Sequence, residues 1–431
     1  MTKGSSKSTT FRRLPGFRDF VPEDFALRAH IFEAWRRVAR RSGFLEYDAP
    51  PLEPLELYTE KSGAEIVGQL YNFQDKGGRD ISLRPEMTPS LARILGERSR
   101  SMPKPIRWFS IPQLFRYERQ QRGRLREHFQ WNVDLVGEES TAADAEVLAV
   151  AINGLRELGL DHTSFRARVS DRRLLSALLS ASGVEEDRLP DAYAVIDKVE
   201  REGEAKTRER LEGVGMEPDA AGLLFALFAE PGLESVRRHF GDREEVAGIL
   251  AELETYLSDL EAMGLGEYVG FDLSIVRGLA YYTGIVFELF DREGELRAIC
   301  GGGRYDRLVE WAGGESLPAV GFGMGDVVLG ELLSDRGLVP EYRRALDYFI
   351  VTIGDDLRPL ALGIARRLRE DGHSVVYPLR AQSVRKQFAS AATEGAGRTI
   401  VLGPDEVARG VAIVRDMGTG EEQEVSLDEL R

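Results

Sequence analysis

Residues 114–136 read Leu114-Phe115-Arg116-Tyr117-Glu118-Arg119-Gln120-Gln121-Arg122-Gly123-Arg124-Leu125-Arg126-Glu127-His128-Phe129-Gln130-Trp131-Asn132-Val133-Asp134-Leu135-Val136. Leu114 to Tyr117 and Phe129 to Val136 have the apolar and aromatic content of strands, and the polar stretch between them would be a hairpin loop. Between residues 116 and 126, Arg116, Arg119, Arg122, Arg124 and Arg126 face a single acid, Glu118. Alternation along an extended strand gives Arg116 and Glu118 one face, so a cation and a carboxylate look into the same cleft. Arginine suits phosphate because its planar fork donates two parallel bonds and stays charged. A solvated basic hairpin tip fits the spacing equally well.

Outward from the hairpin, the first half reads as antiparallel sheet with helices packed on it, an α+β pattern. Pro22, Glu23 and Asp24 open a helix whose apolar face is Leu27, Ile31, Trp35 and Val38, and Gly43 stops it. Phe44 to Tyr47 is a strand interrupted by Pro50 and Pro51, which suits a sheet edge or a subunit boundary. Leu70 to Phe73 and Ile81 to Leu83 form a hairpin around Asp75, Lys76, Gly77 and Gly78. Thr141, with Asp144 three residues on, opens a helix that Gly159 closes. The charged, helically spaced segment from about 175 to 263 reads as an insertion that splits one domain. Strands return at Tyr268 to Val276, Thr283 to Phe290, Leu296 to Ile299 and Ala319 to Gly325. From Ala345 strands and helices alternate as in a separate small α/β domain.

The chain has 431 residues, 42% hydrophobic and 30% charged, which predicts two or three domains and excludes disorder for the bulk. With 57 basic and 72 acidic residues the net charge is −15, so nucleic-acid contact must be local. Residues 1–10 are polar and read as a flexible tail with no signal peptide. No run approaches the roughly 20 apolar residues of a membrane helix. Cys300 is the sole cysteine, so no internal disulfide forms and a cytoplasmic, membrane-free protein is expected. His30, His128, His162, His239 and His373 are scattered, so no metal held by His or Cys is expected.

Three more constellations stand out. Arg277, between strand texture and Tyr281 and Tyr282, must face a ligand or a paired carboxylate. Cys300-Gly301-Gly302-Gly303-Arg304-Tyr305-Asp306 permits close backbone approach but lacks the Gly-Lys-Ser/Thr of a P-loop, and by itself reads as a tight turn. Cys300 itself reads as a packed small hydrophobe. Glu86 and Thr88 follow a strand end, where they could hold an ammonium group or cap a helix.

In order and spacing these segments resemble histidyl-tRNA synthetase, a class II aminoacyl-tRNA synthetase, from Leu14 to Leu430. Leu14-Pro15-Gly16-Phe17-Arg18-Asp19 looks like the family's entry segment, the first helix with Pro51 and Glu53 like motif 1 at a dimer interface, and the arginine hairpin like motif 2. The segments 277–282 and 301–306 resemble two signatures particular to the histidine enzymes. The resemblance implies a class II antiparallel sheet flanked by helices, a catalytic domain over 11–335 and an anticodon-binding-type domain over 345–431. It implies that Glu86, Met87, Thr88, Gln130, Asp134, Tyr281 and Tyr282 line a histidine pocket. Glu86 would take the ammonium group, and Asp134 with a tyrosine the imidazole. Arg116 and Arg277 would be the catalytic grip on the α-phosphate of ATP. Glu118 and Arg124 would complete the ATP site, and Gln121 and Arg122 would face the acceptor end of tRNA(His). Mg²⁺ as cofactor and a homodimer are implied too.

The sequence departs from the family where motif 3 usually carries Glu-Arg: Gly323-Met324-Gly325-Asp326 leads into Val327 and Val328. Ala280 stands where Asp is usual, and the aromatic near adenine is displaced to His128 or Phe129. The rival readings are a catalytically inactive histidine-sensing regulatory subunit of ATP phosphoribosyltransferase, which the missing arginine favours, and a synthetase for proline, threonine or glycine. The motif 2 arginines, Arg277 and the C-terminal domain favour the histidine enzyme.

Overall fold

The computed structural model describes residues 11–59, 67–119, 121–230, 232–277, 281–293, 296–342, 344 and 346–430. The expected tail at 1–10 and the Ala280 position lie outside them. The chain divides into two compact units, residues 1–340 and 341–431.

The first unit is built on a nine-stranded, mostly antiparallel sheet. Its strands are β1 (Leu45–Glu46), β5 (Ile106–Ser110), β6 (Gln113–Phe115), β7 (Glu127–Val136), β8 (Phe165–Asp171), β9 (Val269–Phe271), β10 (Ile285–Asp291), β11 (Cys300–Arg304) and β12 (Ala319–Gly325). Across the sheet the order is β1-β5-β7-β12-β11-β10-β8-β9, with β6 paired to β7. The strands β2 (Leu52–Pro54), β3 (Tyr71–Gln74) and β4 (Asp80–Leu83) form a separate small sheet in the order β2-β4-β3. Helices Pro22–Arg41 and Thr141–Arg156 bury Trp35, Val38, Val147, Leu148 and Ile152 in the same core as Phe109, Trp131 and Val133 of the sheet. Trp35 stacks on Trp131 with ring centroids 5.7 Å apart. Between β8 and β9 the chain is helical, from Arg172–Ala181 to Glu244–Ala262, and the two flanking strands pair in parallel.

Three local readings are corrected. The glycine run 301–303 is no turn but the middle of β11, a buried central strand. Small residues are needed there for packing: a Cβ on Gly302 would overlap the Gly321 carbonyl and crowd Phe287 and Phe322. Gly302→Ala should therefore cost about 2 kcal/mol or more, read as a lower urea midpoint at unchanged m-value. Leu296 to Ile299 is not a strand, since pairing begins at Cys300. Thr141 and Asp144 make no capping box: the N-cap position is Ser140, without a side-chain bond, and the buried Asp144 carboxylate accepts from Arg304 Nε at 3.1 Å. Burial raises the Asp144 carboxyl to about 6 despite that arginine. Cys300 is a packed interior thiol, its pKa raised by burial.

The second unit holds β13 (Leu346–Thr352), β14 (Val375–Val376), β15 (Ala396–Leu402), β16 (Val411–Asp416) and β17 (Glu422–Ser426) in the order β14-β13-β15-β16-β17. The first three strands are parallel, and helices Arg358–Glu370 and Val384–Thr393 connect them. The residue pattern had not indicated β17, whose first three residues are exposed Glu422, Gln423 and Glu424. No helix among the described residues is long and apolar enough to cross a membrane.

Candidate active site

Strand β7 carries the site because its alternation is regular and its neighbour β12 is nearly bare. Gln130, Asn132 and Asp134 project from one face of β7, while Trp131 and Val133 enter the core on the other. Opposite them in register, Gly321 pairs with Asp134 and Gly323 with Asn132. A Cβ at Gly321 would lie 2.5 Å from Asp134 Oδ1, and one at Gly323 2.6 Å from Gln130 Nε2. Glycine on β12 thus leaves the room in which the β7 side chains stand.

The resulting cavity, about 70 Å³, is walled by Glu86, Thr88, Arg116, Gln130, Asn132, Asp134, Arg277, Tyr281, Tyr282 and Tyr305. Arg116 and Arg277 thus share one cleft. Of the other residues singled out in the sequence, Met87 is buried beside Arg84 and does not line the cleft. Glu118 and Arg124 do not line it either: they pair with each other at 2.8 Å, and Glu118 also lies 3.9 Å from Arg116. Gln121 accepts from Arg297 at 2.8 Å, and Arg122 is paired with Asp335 at 3.0 Å. Neither Thr88 nor Glu86 caps the helix Thr88–Arg98, whose N-cap position is Met87 without a side-chain bond.

The electrostatics divide the cleft. Asp134 accepts a hydrogen bond from the Tyr305 hydroxyl, yet burial raises its carboxyl to about 7. Arg277 is held by Glu288; burial works against its charge, but Glu288 together with Tyr282 and Tyr281 raises the guanidinium's pKa. Both earlier readings of Arg277 therefore apply, because it has a carboxylate partner and faces the cavity. It is also the one non-glycine residue with positive φ among those described, at +61°, a conformation that costs of order 1 kcal/mol and gathers at functional sites. His128, two residues before Gln130 on β7, does not line the cavity; burial, with Arg116 and Arg18 nearby, lowers its pKa to about 3, so its imidazole is neutral.

Asn132, Tyr305 and Glu288 had not been picked out. Period two from Gln130 to Asp134 passes through Asn132, and Tyr305 was in a quoted motif, but Glu288 lies on a neighbouring strand and carries no local signal. Around Asp326, Arg18 donates to Asp326 at 2.9 Å and to Glu127 at 2.7 Å, tying the entry segment to the start of the last helix of this unit.

An antiparallel sheet that gathers two arginines, two carboxylates and three tyrosines in one cleft, followed by a separate α/β unit, is the architecture of a class II aminoacyl-tRNA synthetase. The model described as Histidyl-tRNA synthetase matches residues 16–325, and the one described as Anticodon binding domain matches 347–431. The histidine–tRNA ligase of Opitutus terrae is 45% identical over 98% of this chain and 97% of its own. The chloroplastic/mitochondrial histidine–tRNA ligase of Arabidopsis thaliana is 40% identical over 96% and 85%. Histidyl-tRNA synthetase from a Nostoc species superposes with TM-score 0.83 at 26% identity, covering 98% of both chains. A Bacillus halodurans structure described as an ATP phosphoribosyltransferase regulatory subunit/histidyl-tRNA synthetase gives 0.77 at 25%, over 92% of this chain and 99% of that one. The chain belongs to the histidyl-tRNA synthetase family.

Proposed function

We propose that this chain activates L-histidine with ATP and transfers it to tRNA(His), and that the cleft between β7 and β12 is where it does so. The observation that carries the reading is the convergence of Arg116 and Arg277 on a cavity that also holds Glu86 and Asp134. Histidine would lie with its ammonium group toward Glu86 and Thr88 and its imidazole toward Asp134 and Tyr281, with Gln130 and Tyr282 completing the wall. A histidine carboxylate oxygen then attacks the α-phosphorus of ATP, the bond to the β,γ unit breaks and pyrophosphate leaves. Arg116 and Arg277 stabilise the charge that gathers on the α-phosphate oxygens. Arg124 and Glu118 would sit at the outer end of the nucleotide site. The tRNA 3′-terminal hydroxyl next attacks the activated carbonyl, releasing AMP.

Among the described residues no three His, Cys, Asp or Glu side chains cluster as a metal site. Mg²⁺ would accompany the ATP phosphates, which need only one or two protein carboxylates beside them. We further propose a catalytic domain over 11–335, with an insertion at 175–263, an anticodon-reading domain over 345–431, a homodimer and a cytoplasmic location. The exposed apolar side chains Leu45 and Leu52 support an interface near motif 1.

The test is pyrophosphate exchange with purified protein, ATP and each amino acid. Exchange with histidine alone supports the enzyme. Histidine binding without exchange would overturn the ligase reading. Exchange with proline, threonine or glycine would overturn the specificity.

A further inference from the structure

The turn at the tip of the arginine loop is not free. It is closed by Gln121 N donating to Arg124 O at 3.2 Å and Arg124 N to Gln121 O at 2.9 Å, with Gly123 at φ +74°. Helix Asp326–Asp335 then clasps it: Gly123 N donates to Glu331 Oε1 at 3.1 Å, Arg122 Nε lies 3.4 Å from Glu331 Oε2, and Arg122 Nη2 lies 3.0 Å from Asp335 Oδ2. Glu331 and Asp335 are four residues apart, so they stand on one face of the helix. The clasp depends on what is missing from motif 3. Val328 lies directly under the turn, 3.2 Å from where a Gly123 Cβ would be, whereas an arginine there would set like charge and bulk against Arg122.

We propose that Glu331 and Asp335 are positioning residues that hold Arg122 as stand-ins for RNA phosphate, so that tRNA must displace them before the loop can grip its acceptor end. The inference rests on the reading of Arg122 as an acceptor-end contact. A carboxylate pair offers Arg122 the charge and bidentate geometry that a phosphate offers. The Arg122 side chain is 57% exposed and Asp335 52%, so the pair is solvent-screened and exchangeable rather than locked. Displacement makes RNA binding weaker than the arginine count implies and gives the enzyme a threshold against other polyanions.

The experiment measures tRNA(His) binding by filter retention, and the KM for tRNA in aminoacylation, for Glu331→Gln/Asp335→Asn in the full chain. Apparent affinity and KM should improve about three- to tenfold, the size expected for a small network of screened pairs. Histidine-dependent pyrophosphate exchange should stay within about twofold. The gain should vanish in an Arg122→Ala background, because the coupling then has no partner. The charge-matched control Glu234→Gln/Glu254→Gln, which frees Arg237 on the helical segment, should not reproduce it. An unchanged or raised KM, an equal gain without Arg122, or an equal gain in the control overturns the proposal. Absence of pyrophosphate exchange in the parent protein would instead overturn the ligase reading, and filter binding would still test the clasp.

Discussion

Arg116→Gln is expected to lower histidine-dependent pyrophosphate exchange by about a hundredfold to a thousandfold, with little change in thermal stability. The size follows from removing one fixed donor to charge that develops on phosphate in the transition state. The small stability effect follows from the side chain's surroundings. It is 27% exposed, its guanidinium donates to the Pro85 carbonyl at 3.0 Å, and the carboxylate of Glu118, 3.9 Å away, keeps Arg124. Arg277→Gln should lose as much exchange but also stability, because it leaves the Glu288 carboxylate unpaired in a mostly buried site. Adding Glu288→Gln to Arg277→Gln should restore the urea midpoint and leave exchange low. If the double variant recovered exchange, Arg277 would be a structural ion pair and not a phosphate ligand. If Arg116→Gln kept exchange within about threefold, the cleft would not be the site of adenylation.

How much of this could be read from the residues depends on whether the determinant is local. The hairpin of β6 and β7, the first helix and the parallel start of the second unit follow from periods of two and 3.6 and from glycine and proline punctuation. Thr141 stood one residue inside the helix start, whose N-cap is Ser140, and Asp144 was claimed by Arg304, more than 150 residues away, a partner that no local rule anticipates. The glycines at 301–303 were ambiguous for the same reason. In isolation they are turn formers, and only the crowding from Phe287, Phe322 and the Gly321 carbonyl makes them strand residues. Gln130, Asp134, Arg116, Tyr281 and Tyr282 were expected from the resemblance, and all of them line the cleft. The partner of Arg277 and the sequestration of Arg122 by Glu331 and Asp335 were not expected, because charge counts within a loop omit the acids that fold against it.

The other large effect concerns imidazole recognition. Asp134 is 4% exposed at the floor of the cleft, and burial raises its carboxyl from near 3.8 to about 7. A raised acid binds more protons folded than unfolded, so between those two values the protein loses stability as pH rises, by up to about 4 kcal/mol from this group. Asp134→Asn should flatten that slope and raise stability at pH 7. Function moves the opposite way. A neutral imidazole N–H binds an ionised carboxylate more strongly than a protonated carboxyl, so histidine KM should fall as pH rises through about 7 in the parent enzyme. In Asp134→Asn only the substrate's own imidazole titration, near 6.5, should remain, making the slope of log KM against pH shallower by about one. Asp134→Ala, which removes the acceptor and strands the Tyr305 hydroxyl, should raise histidine KM about a hundredfold, the loss of a buried hydrogen bond to a charged group. A gain in stability without a loss of histidine affinity would separate the two roles and move the imidazole site elsewhere in the cleft. Parallel loss of both would mean that Asp134 is only a packing element under Tyr305.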